Sequence, residues 1–375
     1  MDTMKILKRA WYILWNYRTL WVFGFLLALT VGGASFGNLG SNSGYRFNNN
    51  QDIQRSFPIP WEGQNFQNLT EFRDAVRSAL NNGVEAVHTQ PGLGALVGFT
   101  VAFIVLVILF SIGMTILRYV SETATIRMVD EFDASGQKVS INKGFHQGWS
   151  PAAWKLFLVD LLISFVPGLI LLVLIGLILW GFVSMAITTG MAGAAAITMT
   201  VFMAGMVFLL VLVFGLYFVL MGLVRNFIAR ALILEQVGIR AALHQGFSLV
   251  QKRWKDIGLF WLVMIGLGLA WWIVSLVLVF FLIPFFIVSL FMGLLIAGIP
   301  GLLVGLFSSL FVSEFWPIVI GVLFGLPLFI PVVASPMLFV EGLALLFRYT
   351  VWNLVYREVQ PRGSSPEISG SSLTG

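Results

Sequence analysis

From Asp256 to Phe347 the chain carries no Lys or Arg, a stretch of more than ninety residues in which only Asp256, Glu314 and Glu341 are charged. Similar apolar runs fill much of the remaining sequence, with short basic segments between them. Each run of 18 or more apolar residues is long enough to cross about 30 Å of hydrocarbon as a helix. Backbone groups in lipid must bond within the segment or in a closed barrel. The unbroken runs lack the short alternating strands of a barrel. The fold class is therefore all-α, a polytopic transmembrane helix bundle.

Composition agrees with this. Charged residues make up 10% of the chain and hydrophobic residues 58%, against about 25% charged in soluble domains. The absence of cysteine removes disulfides, thiolate metal ligands and cysteine nucleophiles. The net charge of +5 reads as anchoring at a membrane face, not as nucleic-acid binding. An apolar run from Leu20 follows Lys5, Lys8, Arg9 and Arg18. Trp11, Trp15 and Trp21 make this region too aromatic for a cleaved signal, so it reads as an uncleaved first span.

Six spans are expected, at about 17–36, 94–118, 156–182, 200–224, 257–282 and 319–347. The segments on one side of this arrangement hold 18 of the 22 Lys and Arg residues. The other side holds Arg46, Arg55, Arg73 and Arg77, all in an outer loop over 37–91. This bias places both termini in the cytoplasm. The stretch 283–318, punctuated by Pro284, Pro300 and Pro317, reads as a re-entrant or interface-lying hairpin, or else as two further thin spans. Residues 1–360 form the transmembrane domain. Phe66, Leu69, Phe72, Val76, Leu80, Val84 and Val87 recur at helical spacing and predict an amphipathic helix over 66–88. The Ser/Gly/Pro-rich tail 361–375 has no apolar period and is expected to be disordered and cytoplasmic.

A threefold internal pattern is visible. Leu7-Lys8-Arg9-Ala10-Trp11, Phe145-His146-Gln147-Gly148-Trp149 and Leu243-His244-Gln245-Gly246-Phe247 each read apolar, two polar, small, aromatic. A Trp beside or near a basic residue follows each: Trp15 with Arg18, Trp154 with Lys155, Trp254 with Lys255. Arg118, Arg225 and Arg348 stand at matching places after the second, fourth and sixth spans. Three in-and-out hairpins, each preceded by an amphipathic interface helix, would produce this pattern. Basic groups on those helices would face anionic headgroups.

The segment from Arg127 through Gly136, then Val139-Ser140-Ile141, then Gly148-Trp149, resembles the cytoplasmic connector of an uncharacterised group of bacterial membrane proteins. That group is related to the membrane domain of glycerophosphoryl diester phosphodiesterases. The resemblance covers most of residues 1–360 outside the outer loop and implies a six-helix plasma-membrane bundle. It implies no phosphodiesterase activity, because the chain has no room for the catalytic barrel.

Polar groups at unusual depth are the candidate site residues. Glu341 lies seven residues before Arg348, about 10 Å deeper along a helix. A carboxylate at depth costs about 2–3 kcal/mol unless paired or protonated. Asp160 lies five residues past Lys155. Glu341, Asp160, Arg348, Arg118 and Arg225 therefore form the candidate transport or polar-network set. The span carrying Glu341 also contains Pro327, Pro331 and Pro336 and is expected to be kinked or broken. Glu314, beside Trp316 and Pro317, reads as an outer-interface residue.

His88, His146 and His244 lie outside the spans and no metal site is expected. Gly33-Ala34-Ser35-Phe36-Gly37 fits a nucleophile-elbow pattern but ends a span, the wrong context for that motif. Gly94/Gly98, Gly301/Gly305 and Gly321/Gly325 are small-residue pairs suited to close helix packing. No catalytic residues and no cofactor are expected. The expected function is a non-enzymatic bundle organising lipid or membrane-protein partners, with no nucleic-acid partner. A carrier or channel using Glu341 is the second reading.

Overall fold

The computed structural model describes residues 2–31, 77–78, 91–189, 194–312 and 315–360. The expected helix over 66–88, His88, Glu314, the Gly33–Gly37 stretch and the tail 361–375 lie outside the described residues, apart from positions 77 and 78. Among the described residues the chain is all helical, with no strand. In chain order the helices are α1 (Thr3–Asn16), α2 (Leu20–Val31), α3 (Pro91–Ser135), α4 (Ile141–Gly148) and α5 (Pro151–Asp160). A π-helical turn over Leu161–Phe165 follows. The chain continues as α6 (Val166–Thr189), α7 (Ala194–Leu234), α8 (Ile239–Lys252), α9 (Trp254–Ser308) and α10 (Trp316–Val359). Among the described residues, five helices are long and apolar enough to cross a membrane, or six if the bent α1–α2 pair counts as one span. The most apolar window of each of the first four is at most 6% buried within the protein. Apolar surface on that scale, left open by the protein itself, belongs in lipid.

Close packing divides the chain into two units. One comprises Met1–Leu27, Ile116–Val277 and Glu341–Gly375, and the other Ala28–Thr115 and Leu278–Val340. The first holds the buried core. One cluster there joins Ile6, Ala10, Leu156, Phe227, Ile228, Trp352 and Tyr356. A second joins Ile13, Tyr17, Phe23, Met128, Phe132 and Leu346.

Local chemistry sets the short helices of this unit. Asp2 caps α1 by accepting from the Lys5 N–H at 3.1 Å. The chain turns by 102° between α1 and α2. Ser140 precedes α4 as its cap, and Pro151 opens α5, where its missing N–H costs nothing. The long helix α3 ends at Gly136, whose φ of +70° suits glycine and whose N–H closes on the Phe132 carbonyl at 2.8 Å.

The small residue in each of the three sequence motifs lies at a contact. A Cβ on Gly148 would sit 2.4 Å from the Val120 carbonyl, and one on Gly246 would sit 2.5 Å from the Ile228 side chain. Ala10 is wholly buried. The aromatic that follows each points outward: Trp11 is 56% exposed, Trp149 70% and Phe247 56%. The short helices therefore dock through their small residues and leave their aromatics exposed.

The second unit corrects the expectation for 283–318. No break occurs at Pro284, and α9 runs on to Ser308 with Pro284 and Pro300 inside it. Helix α10 likewise runs through Pro327, Pro331 and Pro336 without a break. Each proline removes one N–H, and in an apolar stretch the remaining backbone groups have no partner better than the helix. The hairpin is thus made by the end of α9 and the start of α10.

Its legs cross at the two predicted small-residue pairs. A Cβ on Gly301 would lie 2.7 Å from the Gly321 carbonyl, and one on Gly321 would lie 2.6 Å from the Gly301 carbonyl. A Cβ on Gly305 would lie 2.9 Å from the Pro317 carbonyl, and one on Gly325 would lie 3.1 Å from that of Ala297. Ser289 and Ser335 add a hydroxyl pair at 3.4 Å. Gly98, by contrast, has nothing within 4 Å, so its pair with Gly94 makes no such crossing.

Gly148→Ala should destabilise the first unit by about 1–3 kcal/mol, because the added methyl meets a backbone carbonyl that cannot move aside. Reversible unfolding in mixed micelles measures this. A Gly98→Ala control should leave stability unchanged.

Candidate functional site

The candidate site is a cluster of charges at the ends of α3, α5 and α7. Arg225, the first basic residue after the apolar part of α7, is only 17% exposed and reaches two carboxylates at once. Its Nη1 and Nη2 donate to the two oxygens of Glu122, each at 3.0 Å. Its Nε and Nη2 donate to the two oxygens of Asp160 at 2.5 and 2.7 Å. Four N–H groups of a planar fork are thereby used, a geometry lysine could not supply. The Glu122 side chain is 1% exposed and that of Asp160 10%. Tyr119 donates its hydroxyl to Asp160 at 3.1 Å, and Arg118 stands 3.8 Å from the same carboxylate.

The backbone is irregular at this point. Asp160 ends α5, and the π-turn that follows closes with the Val166 N–H on the Leu161 carbonyl. Pro167 has no N–H to offer the carbonyl four residues before it, that of Ile163. Tyr217 of α7 donates its hydroxyl to that carbonyl at 3.2 Å. A side chain from the neighbouring helix thus replaces the missing backbone bond. Turns of this type recur at functional sites.

Three of the five residues singled out in the sequence, Asp160, Arg118 and Arg225, come together here. The other two do not join them. Glu341 is half-buried and, among the described residues, has no ion pair or hydrogen bond. It precedes Gly342, whose backbone packs against that of Gly24. Arg348 is exposed and likewise makes no ion pair with the cluster.

Sequence reasoning missed Glu122 and Arg230. Both lie beyond the expected ends of their spans, where they read as solvated connector. Yet α3 and α7 continue without a break and bury them. Glu122 stands four residues after Arg118, on the same helical face, which was a usable signal. Arg230 is 1% exposed and donates to the Asn226 and Tyr349 carbonyls at 2.6 and 3.1 Å.

Further polar pairs tie the same unit. Arg357 grips Asp130 through two bonds at 2.7 and 2.9 Å. Glu235 accepts from both Tyr356 and Gln245. Arg127 donates to the Gln147 carbonyl at 2.8 Å, and Gln147 donates to Glu131 at 2.9 Å. The Tyr17 hydroxyl donates to the Val139 carbonyl at 3.0 Å and accepts from its N–H at 2.7 Å. No group of three or more metal-ligating side chains occurs among the described residues.

What this arrangement does chemically is neutralise. Two carboxylates and the guanidinium of Arg225 satisfy one another, and Arg118 adds a second, looser cation. Removing one partner of such a buried pair typically costs about 3–5 kcal/mol, whereas replacing all partners with apolar residues is often neutral or stabilising. Arg225→Met should therefore lower stability by about 3–5 kcal/mol, and the triple change Arg225→Met, Glu122→Leu, Asp160→Leu should recover most of it. Thermal unfolding in detergent checks both. Equal loss in the single and triple variants would contradict the account.

Residues 14–351 match the sequence model of a family described only as a family of unknown function, DUF7544. No curated protein and no solved structure matches the chain.

Proposed function

The chain belongs to DUF7544, and we propose that it is a non-enzymatic plasma-membrane bundle that organises lipid around itself, with both termini in the cytoplasm. The observation that carries this reading is the division of its surface. The charges Arg225, Glu122 and Asp160, and Arg357 and Asp130, are paired inside the protein, whereas the long helices present bare apolar faces such as Leu172, Phe208, Leu262 and Leu295, each at least 60% exposed. Lipid tails are the medium such faces require.

The short helices support a role at the headgroup level. Lys5, Lys8 and Arg9 of α1 and Arg240 and Lys252 of α8 are exposed, beside the exposed Trp11, Trp15 and Trp254. Cations and tryptophans together favour an anionic membrane interface. The three docking motifs and the matching positions of Arg118, Arg225 and Arg348 support a threefold repeat of interface helix and hairpin. The likeness of the Arg127–Trp149 connector to phosphodiesterase membrane domains belongs to the same proposal, as does the recruitment of membrane-protein partners.

A carrier function is the second reading, favoured by Glu341, half-buried and without a partner among the described residues. Under it, Glu341→Gln abolishes proton-linked flux through reconstituted vesicles. Retention of full flux by that variant excludes it.

For the lipid-organising reading, labelled phosphatidylglycerol should be enriched around the protein in phosphatidylethanolamine vesicles. Neutralising Lys5, Lys8, Arg240 and Lys252 to Gln should reduce that enrichment, by about 1 kcal/mol for each charge removed. Energy transfer from the exposed tryptophans to the labelled lipid measures it. Unchanged transfer in the four-residue variant would count against the role.

A further inference from the structure

The hairpin formed by α9 and α10 carries a cleft of about 520 Å³ beside its glycine crossing. One wall is built by Leu294, Leu302 and Leu306 and the other by Ile318, Val322 and Phe329. Its floor is the buried small residues Ala297, Gly301, Gly321 and Gly325. Among the lining residues only Ser309 has a polar side chain, and it stands at the end next to the turn. The leucine and isoleucine walls are largely open on their outer sides, with Leu302 68% and Ile318 71% exposed.

The shape is specific. The lining recurs along α9 from Leu294 to Leu306, ends at Ser309 just past the helix, and recurs along α10 from Pro317 to Phe329, a run of about 20 Å at the helical rise. Spread over that length, 520 Å³ leaves a cross-section of about 25 Å². That is room for about one hydrocarbon chain, and the volume is well below that of a helix of about 10 Å diameter over the same length. Its length is close to the depth of a single leaflet, about half of the 30 Å hydrocarbon core. The slot carries no charge, so an occupant's polar head must stay outside it.

We propose that this cleft binds one acyl chain of a membrane phospholipid, seated along the glycine floor between the leucine and isoleucine walls. The proposal rests on the lipid-organising reading above and names the part of the lipid that the hairpin holds. Gly298 provides the handle. It lines the cleft, and a Cβ there would meet nothing within 4 Å. A large side chain at 298 therefore has room beside the cleft and leaves the crossing at Gly301, Gly305, Gly321 and Gly325 intact. Gly268, in the other unit, has equally open surroundings and does not line the cleft, so it serves as the control.

The test uses the full chain in phosphatidylethanolamine–phosphatidylglycerol vesicles containing a phosphatidylcholine with a photoreactive group in its acyl chain. Labelled positions are mapped by mass spectrometry. Labels should concentrate on 294–309 and 317–329 and fall about tenfold in Gly298→Phe, the change expected when contact with two or three methylenes is lost. Gly268→Phe should label as the unaltered chain does. Labelling spread evenly over all exposed apolar faces, or unchanged in Gly298→Phe, overturns the acyl-chain site and leaves the membrane role standing. Absence of acyl label together with cross-links between two protein chains through 294–309 overturns it in favour of a second copy. Absence of label anywhere in the chain overturns both the site and the reading it rests on.

Discussion

A guanidinium taken out of water must be answered by groups within reach of its own side chain. Arg225 is answered twice, by Glu122 at 3.0 Å and by Asp160 at 2.5 Å. The demand ties the end of α3 and the junction of α5 with α6 to α7, three stretches far apart in sequence. Other features of this unit follow from the same demand. The π-turn after Asp160 leaves an unpaired carbonyl beside Pro167, and Tyr217 has to supply the missing donor. Arg357 and Asp130, and Glu235 with Tyr356 and Gln245, meet equivalent needs between other helix pairs. Ion pairs of this kind add little net stability against apolar packing, but a mispaired arrangement would strand a charge. Their effect is to select one arrangement of helices.

The described part of the second unit solves its packing problem without ion pairs. Hydrocarbon gives no hydrophobic drive for one leucine face to seek another, so close backbone approach has to hold the hairpin. Gly301 and Gly305 on Gly321 and Gly325 provide that approach. The same absence of side chains that lets the backbones meet also leaves a narrow slot beside them. Paired charges in one unit and bare glycines in the other are two answers to the same solvent.

Much of this was legible in the sequence because the bilayer imposes simple rules. Long uncharged runs had to be helices, and they are. The glycine pairs at 301/305 and 321/325 were recognisable, and so was the unusual depth of Asp160 and Arg225. The misreadings have physical causes. Pro284 and Pro300 read as breaks by the standards of water, where a freed carbonyl finds another partner. Glu122 and Arg230 read as solvated because apolar composition ends before the helix does. No periodicity marks where a helix leaves lipid and becomes buried in protein. The convergence of Glu122, Asp160 and Arg225, more than thirty residues apart at the nearest, is a tertiary fact. The four-residue spacing of Arg118 and Glu122 is the one local trace of it.

The account requires that side chains bare on the protein surface be hidden from water by lipid. The chain contains no cysteine, so single cysteines can be placed at will and probed with a membrane-impermeant maleimide. Cysteine at Leu172, Leu262 or Leu295, all open on the folded protein, should stay unreactive in intact membranes and react once the membrane is dissolved and the chain unfolded. Cysteine at Lys138 or Arg240, both exposed, should react in opened membranes without unfolding. Rapid labelling of 172, 262 or 295 in intact membranes would contradict the account, because those faces would then be meeting water.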